Sequence, residues 1–258
     1  MTRIGRRFGE LRRGGTKAFV AFVTAGDPSL ERTADVALSL AAAGVDVLEL
    51  GVPFSDPLAD GPVIQRASER ALARGTSLAG VLGAVRGIRA RSELPLLLFS
   101  YANPLLRYGL PRFAADAKAA GVDGVLVTDL PPEEAGEWLG IARGAGLDTV
   151  FLAAPTSPDE RLRRVAEATR GFVYAVSRTG VTGERDALSA DARPLVERLR
   201  ALTGEPVALG FGISTPEQVA AAAAVADGVV VGSALVRFLE EHPEGDVAGQ
   251  VRWLKSRI

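Results

Sequence analysis

The sequence predicts a parallel (β/α)8 barrel, and three observations carry that expectation. About eight short runs of β-branched and apolar residues recur along the chain, each followed by an Ala-rich stretch with a helix-start signal. Such alternation calls for a parallel sheet covered by helices. The G-x-G-x-x-G fingerprint that would follow the first strand of an open doubly wound sheet is missing, and no Pro/Gly/Ser linker or charge block marks a second domain. In 258 residues, this reads as one barrel domain over 1–258.

The elements follow in order. In MTRIGRRFGELRRGG, Ile4, Phe8 and Leu11 fall at i, i+4 and i+7 between arginines, which predicts an amphipathic packing helix ahead of the barrel. The strand runs are AFVAFV from Ala18, VDVLEL from Val45, LPLLLF from Leu94, VDGVLV from Val122, DTVFLA from Asp148, GFVYAV from Gly171, EPVALGF from Glu205 and ADGVVV from Ala226. Helix starts are signalled at Asp27-Pro28-Ser29, Pro131-Pro132-Glu133, Ser157-Pro158-Asp159 and Ser214-Thr215-Pro216-Glu217. The longest interval follows VDVLEL, where a loop at 52–60 and two helices, at about 62–74 and 78–91, are expected. Extra helices are thus expected after strand 2, and again after strand 8. The loop matters because barrels of this kind carry their sites at the C-terminal ends of the strands.

Composition removes several function classes. A net charge of -1 gives no electrostatic footprint for nucleic acid or an acidic membrane surface. No apolar run approaches the roughly 20 residues of a membrane span, and no apolar h-region of a signal peptide follows the basic start, so a cytoplasmic soluble protein is the expectation. There is no cysteine, hence no thiolate nucleophile, disulfide or Cys-based zinc site. The single histidine, His242, and the lysines Lys17, Lys118 and Lys255 all lie away from the C-terminal ends of the expected strands. A Schiff-base aldolase, an imidazole-bound metal, a Ser-His-Asp hydrolase and a His/Lys isomerase are all disfavoured by that placement. Proton transfer is left to carboxylate, tyrosine or arginine.

Two carboxylates stand out. Strand parity puts Val45, Val47 and Glu49 on one face, with Glu49 at the catalytic end among apolar neighbours. Burial there raises a carboxyl pKa and suits it to act as acid and base near neutrality. A glutamate that reaches solvent at the barrel mouth, or pairs with an arginine, accounts for the position equally well. Asp60 closes the loop Gly51-Val52-Pro53-Phe54-Ser55-Asp56-Pro57-Leu58-Ala59-Asp60, whose prolines restrict the backbone over the mouth. A simple N-cap for the helix opening at Pro62 is its other reading, and Asp56 is a third acidic candidate with a turn role as its alternative.

At the opposite side of the mouth, strand 7 runs into Gly210-Phe211-Gly212-Ile213-Ser214 and strand 8 into Gly232-Ser233, each before a helix. Paired glycines ahead of helix N-termini predict a phosphate site. After strand 6, Ser177-Arg178-Thr179-Gly180-Val181-Thr182-Gly183-Glu184-Arg185 reads as a lid over 177–189, with an ordinary surface loop as the alternative.

LELGVPFSDPLADGP, VTDLP, SRTGVTG, GFGIS and VVGSALV occur in the order and spacing of the tryptophan synthase α-subunit family, and the chain resembles that family over nearly its whole length. The first motif is highly specific; GFGIS and VVGSA are shared with many phosphate-binding barrels. The resemblance implies retro-aldol cleavage of indole-3-glycerol phosphate to indole and glyceraldehyde 3-phosphate, with no cofactor and no metal in this chain. It implies that Glu49 moves protons between indole C3 and the side-chain hydroxyl, while Asp60 accepts the indole N–H bond. It places phosphate on Gly183, Phe211, Gly212, Gly232 and Ser233. It lines the indole pocket with Phe22, Leu126, Leu152, Tyr174 and Phe211, with Phe99 and Thr128 nearby; Thr128 is more polar, and Phe99 bulkier, than the residues usual there. Arg178 and Thr182 belong to the lid, Thr182 bonding the loop aspartate on closure. A β subunit carrying pyridoxal phosphate would receive indole in an αββα assembly, touching the Pro53–Asp60 loop, Asn103 and Pro104.

Three other readings compete. A two-aspartate sugar-phosphate isomerase or cyclase would want aspartates ending strands 1 and 5, where this chain has Asp27 past strand 1 and Leu152-Ala153-Ala154 on strand 5. A stand-alone indole-glycerol phosphate lyase shares every motif, because fold and site do not fix assembly. A non-catalytic phosphate-binding regulator is opposed by Glu49 and Asp60 being present together.

Overall fold

The computed structural model describes residues 2–176, 189–210 and 212–258. Its strand segments are β1 (Ala18–Thr24), β2 (Val47–Gly51), β3 (Leu96–Ser100), β4 (Gly124–Val127), β5 (Asp148–Val150), β6 (Leu152–Ala153), β7 (Val173–Val176), β8 (Val207–Gly210) and β9 (Gly228–Val231). All pair in parallel, in the order β5-β4-β3-β2-β1-β9-β8-β7-β6. The two ends of that order, β5 and β6, are one sequence run, DTVFLA, split at Phe151. Its first half pairs with β4 and its second half with β7. The eight expected strands are therefore present, and the fifth changes neighbour midway, which brings the sheet round into a barrel.

Helices alternate with the strands. α1 (Arg3–Arg13) precedes the barrel and α2 (Leu30–Ala42) follows β1. After β2 come α3 (Pro62–Ala73) and α4 (Leu78–Arg89), and after β3 come α5 (Ala102–Tyr108) and α6 (Leu110–Ala120). Next are α7 (Gly136–Gly144), α8 (Asp159–Ala168), α9 (Ala192–Arg200) and α10 (Pro216–Ala223), with α11 (Ser233–Glu241) and α12 (Val247–Leu254) after β9. The extra helices expected at the N-terminus and after the second and last strands are there. The short α5 is an addition that the sequence reading lacked. No helix among the described residues is long and apolar enough to cross a membrane.

Strand alternation builds two apolar layers. Val20, Phe22, Val47, Leu97, Leu126, Val150 and Val230 fill the barrel, while Phe19, Ala21, Leu48, Leu50, Leu96 and Leu98 pack outward under the helices. Val45 departs from the expected parity: it packs with the outer layer, because β2 begins only at Val47 and the residues before it are not yet extended as a strand.

The N-terminal end of the barrel is plugged by α1. Ile4, Phe8 and Leu11 are buried into the inner layer, with the Phe8 ring centroid 5.5 Å from that of Phe172. A repeated aspartate ties down this end. Asp46, Asp123 and Asp227 each stand immediately before a strand and accept an amide within the first two residues of the neighbouring one: Phe19 N at 2.7 Å, Leu96 N at 2.9 Å and Val207 N at 3.0 Å. Each also takes an arginine, respectively Arg7 at 2.6 Å, Arg89 at 3.1 Å and Arg200 at 2.9 Å. These bonds satisfy backbone donors that would otherwise be stranded at the barrel floor.

Candidate active site

The opposite end of the barrel holds a cavity lined by Phe22, Glu49, Asp60, Ile64, Phe99, Tyr174, Gly212, Ile213, Val230, Gly232 and Ser233. Glu49 reaches it from β2, in register with Phe22 of β1 and Leu97 of β3. Only 1% of the residue is exposed, and neither carboxylate oxygen has a hydrogen-bond partner among the described residues. Burial without compensation penalises the charged form and pushes the Glu49 carboxyl up to about 8. Glu49 does not reach solvent, and among the described residues it meets no arginine.

Asp60 is 5% exposed and faces the same cavity from the β2–α3 loop. It is not the helix cap that its position suggested: the N-cap of α3 is Gly61, a residue with no side chain to cap the helix. The Asp60 carboxylate turns the other way and accepts a bond of 3.0 Å from the Tyr101 hydroxyl. Burial pushes its pKa up, to about 6, and the tyrosine bond offsets part of that rise. Its backbone amide closes a turn onto Pro57 O at 3.0 Å and its carbonyl accepts Gln65 Nε2 at 2.8 Å. Asp56 lies on the exposed outer side of the loop, bonded by the Ser55 hydroxyl, and does not line the cavity.

The aromatic wall is set by Phe22 and Phe99, whose rings meet edge to face with centroids 5.2 Å apart. Tyr174 of β7 closes the side between the two acids; burial, then the charges of Glu49 and Asp60, push its phenol well above the ordinary range. Its ring fits only because Gly210 follows on the next strand, where a Cβ would stand 2.8 Å from Tyr174 Cζ. Gly51 does the same for Phe22, with a Cβ 2.7 Å from Phe22 Cζ.

Gly212, Gly232 and Ser233 meet at the far side of the cavity. Gly212 has φ of +79°, and Gly232 is the N-cap of α11 with no side chain over the helix end. The first amides of α11 lack helical acceptors and point their partial positive charge at this rim. The α10 terminus is different, because Gln218 Oε1 already accepts Ser214 N at 2.7 Å and Thr215 N at 3.1 Å. An anion at this rim is therefore best served by Gly212 and the Gly232–Ser233 turn.

Of the other sequence-predicted residues, Leu126 is buried in the inner layer, while Leu152 and Thr128 are partly buried; none of the three lines the cavity. The Thr128 hydroxyl donates to Ser100 O at 3.0 Å and sits against the Tyr101 hydroxyl. Arg178, Thr182, Gly183 and Phe211 lie outside the described residues, as does the lid segment apart from Ser189. Sequence reasoning missed Tyr101, Ile64, Ile213 and Val230. Ile64 was accessible as an apolar position on the first turn of α3, and Val230 as an inward position of the last strand; Tyr101 carried no local signal. Among the described residues no three His, Cys, Asp or Glu side chains stand close enough to hold a metal ion.

Comparison with known proteins gives a consistent result. The family model described as tryptophan synthase alpha chain matches residues 8–256. The tryptophan synthase alpha chain of Solibacter usitatus is 57% identical over 244 residues, covering 95% of this chain and 91% of that one. That of Geobacter sulfurreducens is 53% identical over 258 residues, covering 100% and 98%. Among solved structures, tryptophan synthase of Mycobacterium tuberculosis superposes with a TM-score of 0.93 at 40% identity, covering 100% of this chain and 98% of that one. A chain of the Pyrococcus furiosus tryptophan synthase a2b2 complex gives 0.85 at 41% identity, covering 93% and 98%.

Proposed function

The chain belongs to the tryptophan synthase alpha chain family, lyases that cleave indole-3-glycerol phosphate, and from that premise we propose that Glu49 and Asp60 carry the cleavage in this chain. The observation that supports this most is that two buried carboxyls, from β2 and from the loop after it, face one cavity; burial pushes Glu49 up to about 8 and Asp60 up to about 6. Near neutrality the first is an acid and the second a base.

In the proposed sequence, phosphate seats on Gly212, Gly232 and Ser233, together with Gly183 and Phe211, and the indole ring lies between Phe22, Phe99 and Tyr174. Protonated Glu49 delivers its proton to indole C3, and the ring nitrogen becomes positive. Asp60 accepts the N–H bond and stabilises that charge. Glu49, now a carboxylate, takes the proton of the side-chain hydroxyl. The C–C bond breaks, its electron pair restores the aromatic indole, and glyceraldehyde 3-phosphate leaves as the aldehyde. Glu49 ends protonated, as it began. Arg178 and Thr182 are assigned to the lid that closes over this step.

The ring itself is the electron sink, so this chain has no need of a cofactor, and its lysines are poorly placed to hold one. Lys118 Nζ donates to Gly146 O at 2.8 Å, Lys255 is bonded to Gly44 O, and Lys17 lies at the barrel floor, none of them on the cavity. Pyridoxal phosphate is assigned to a β subunit that receives the indole in an αββα assembly. The loop bearing Leu58 and the exposed face of α5, with Asn103, Pro104 and Leu106, are proposed as the docking surface; Leu58 and Leu106 are 85% and 59% exposed.

The test is indole release from indole-3-glycerol phosphate by the purified chain, alone and with an added tryptophan synthase β subunit. Slow release that rises strongly with the β subunit is expected. Fast release that the β subunit leaves unchanged would point to the stand-alone lyase, and no release in either condition, with substrate bound, to the non-catalytic regulator.

A further inference from the structure

Tyr101 stands where three elements meet, and nothing in the proposed chemistry uses it. It follows the last residue of β3 and is the N-cap of α5, yet it makes no side-chain cap bond there. Its side chain crosses instead to the β2–α3 loop and is buried. There the hydroxyl makes two bonds in one line: it accepts from Ala59 N at 3.0 Å and donates to Asp60 Oδ2 at 3.0 Å. The ring packs on Phe54 of the same loop, with centroids 5.2 Å apart.

The residue is itself held from behind. Ser100 Oγ donates to Tyr101 O at 3.1 Å, Thr128 N and Oγ1 both donate to Ser100 O at 2.9 and 3.0 Å, and Asp129 accepts Ala102 N at 2.7 Å. A phenol fixed at its backbone, stacked on its ring and bonded twice at its oxygen has one orientation to offer. A polar group so restrained, on a substrate-facing carboxylate, is what a preorganised site requires of its supporting shell.

We propose that Tyr101 is the positioning residue for Asp60: its hydroxyl occupies Oδ2, fixes the loop at Ala59, and leaves Oδ1 aimed at the indole N–H. This rests on the reading that Asp60 accepts that bond. The groups that face Asp60 among the described residues are Tyr101 from the end of β3, Glu49 from β2 and Tyr174 from β7. Of these, the Tyr101 hydroxyl bond is what favours the ionised carboxylate. Losing that bond therefore moves the Asp60 titration to higher pH, whereas a role in folding alone moves only stability.

The experiment is a double-mutant cycle on kcat/KM for indole release, with Tyr101→Phe, Asp60→Asn and the pair, each measured across pH in the full chain with the β subunit present. Tyr101→Phe is expected to lower kcat/KM on the order of 10- to 100-fold, mainly in kcat, and to shift the acid limb upward in pH. On the Asp60→Asn background the same substitution is expected to cost under about 2-fold, since no carboxylate is left to orient or to hold ionised. Equal losses on both backgrounds, or an acid limb that does not move, would overturn the positioning role. Wild-type turnover by Asp60→Asn would instead remove the reading of Asp60 on which the proposal stands. If Tyr101→Phe does not fold, 3,5-difluorotyrosine at position 101 keeps the shape and makes the hydroxyl a stronger donor. The acid limb should then move to lower pH, and no movement would overturn the proposal.

Discussion

At the scale of single residues, the two carboxyls make opposite predictions about pH. Asp60 has to be ionised to stabilise the indole nitrogen, so kcat/KM should rise as pH increases through about 6. Glu49 has to begin protonated, so kcat/KM should fall above about 8. A bell between those values is expected in a pH–rate profile of indole release, and a flat profile from pH 5 to 9 would contradict both assignments. The same burial has a cost in stability. The folded-state pKa of Glu49 lies above its unfolded value, so folding takes up a proton between them. The stability that the protonated side chain contributes is present below about 4.5 and is lost as pH rises through about 8. Glu49→Gln, which never ionises, should therefore melt higher than the parent, with a gap in Tm that widens from pH 5 to pH 8; a gap independent of pH would show that the glutamate is not desolvated. Glu49 was legible in the sequence because strand parity and strand end are both local facts. The partner that orients Asp60 was not: Tyr101 is 41 residues away and meets the loop only when β2 and β3 pair.

At the scale of elements, each strand divides its work between its two ends. At the N-terminal end the aspartates before β2, β4 and β9 bind the neighbouring strands to arginines, away from the cavity. Asp46→Ala strands the Phe19 amide and should destabilise the fold by about 1–3 kcal/mol while leaving turnover near parental at a permissive temperature. Urea melts and indole release measured on the same sample check this, and a stable but inactive variant would refute the division. At the C-terminal end, Gly210→Ala should do the reverse. Its Cβ would drive Tyr174 out of the cavity wall, so kcat/KM should fall by at least about 10-fold with a smaller change in melting. Most elements were readable from period and from their start signals, including the paired helices after β2. The short α5 was not, for a physical reason. ANPLLRY has no capping side chain of its own; its first amide is capped by Asp129, 27 residues farther along the chain.

At the scale of the molecule, closure is a property that no segment contains. The run DTVFLA looked like one strand, and only the assembled sheet shows it pairing first with β4 and then with β7. Closure is also what gathers β1, β2, β3, β7, β8 and β9 around one cavity, so that residues from Phe22 to Ser233 share it. The alternation of strands and helices predicts the barrel, and the paired glycines that the sequence marks, Gly212 and Gly232, line the same cavity. The sequence could not display the depth of the cavity or which predicted wall residues reach it. Leu126 has the right parity and shares the inner layer with Phe22 and Phe99, yet of the three only the two phenylalanines line the cavity. The most direct test of the central claim is single-turnover cleavage of indole-3-glycerol phosphate by Glu49→Gln beside the parent, with substrate binding measured in parallel. A loss of at least about 10²-fold in the chemical step with binding retained is expected; near-parental cleavage by Glu49→Gln would contradict the role assigned to Glu49.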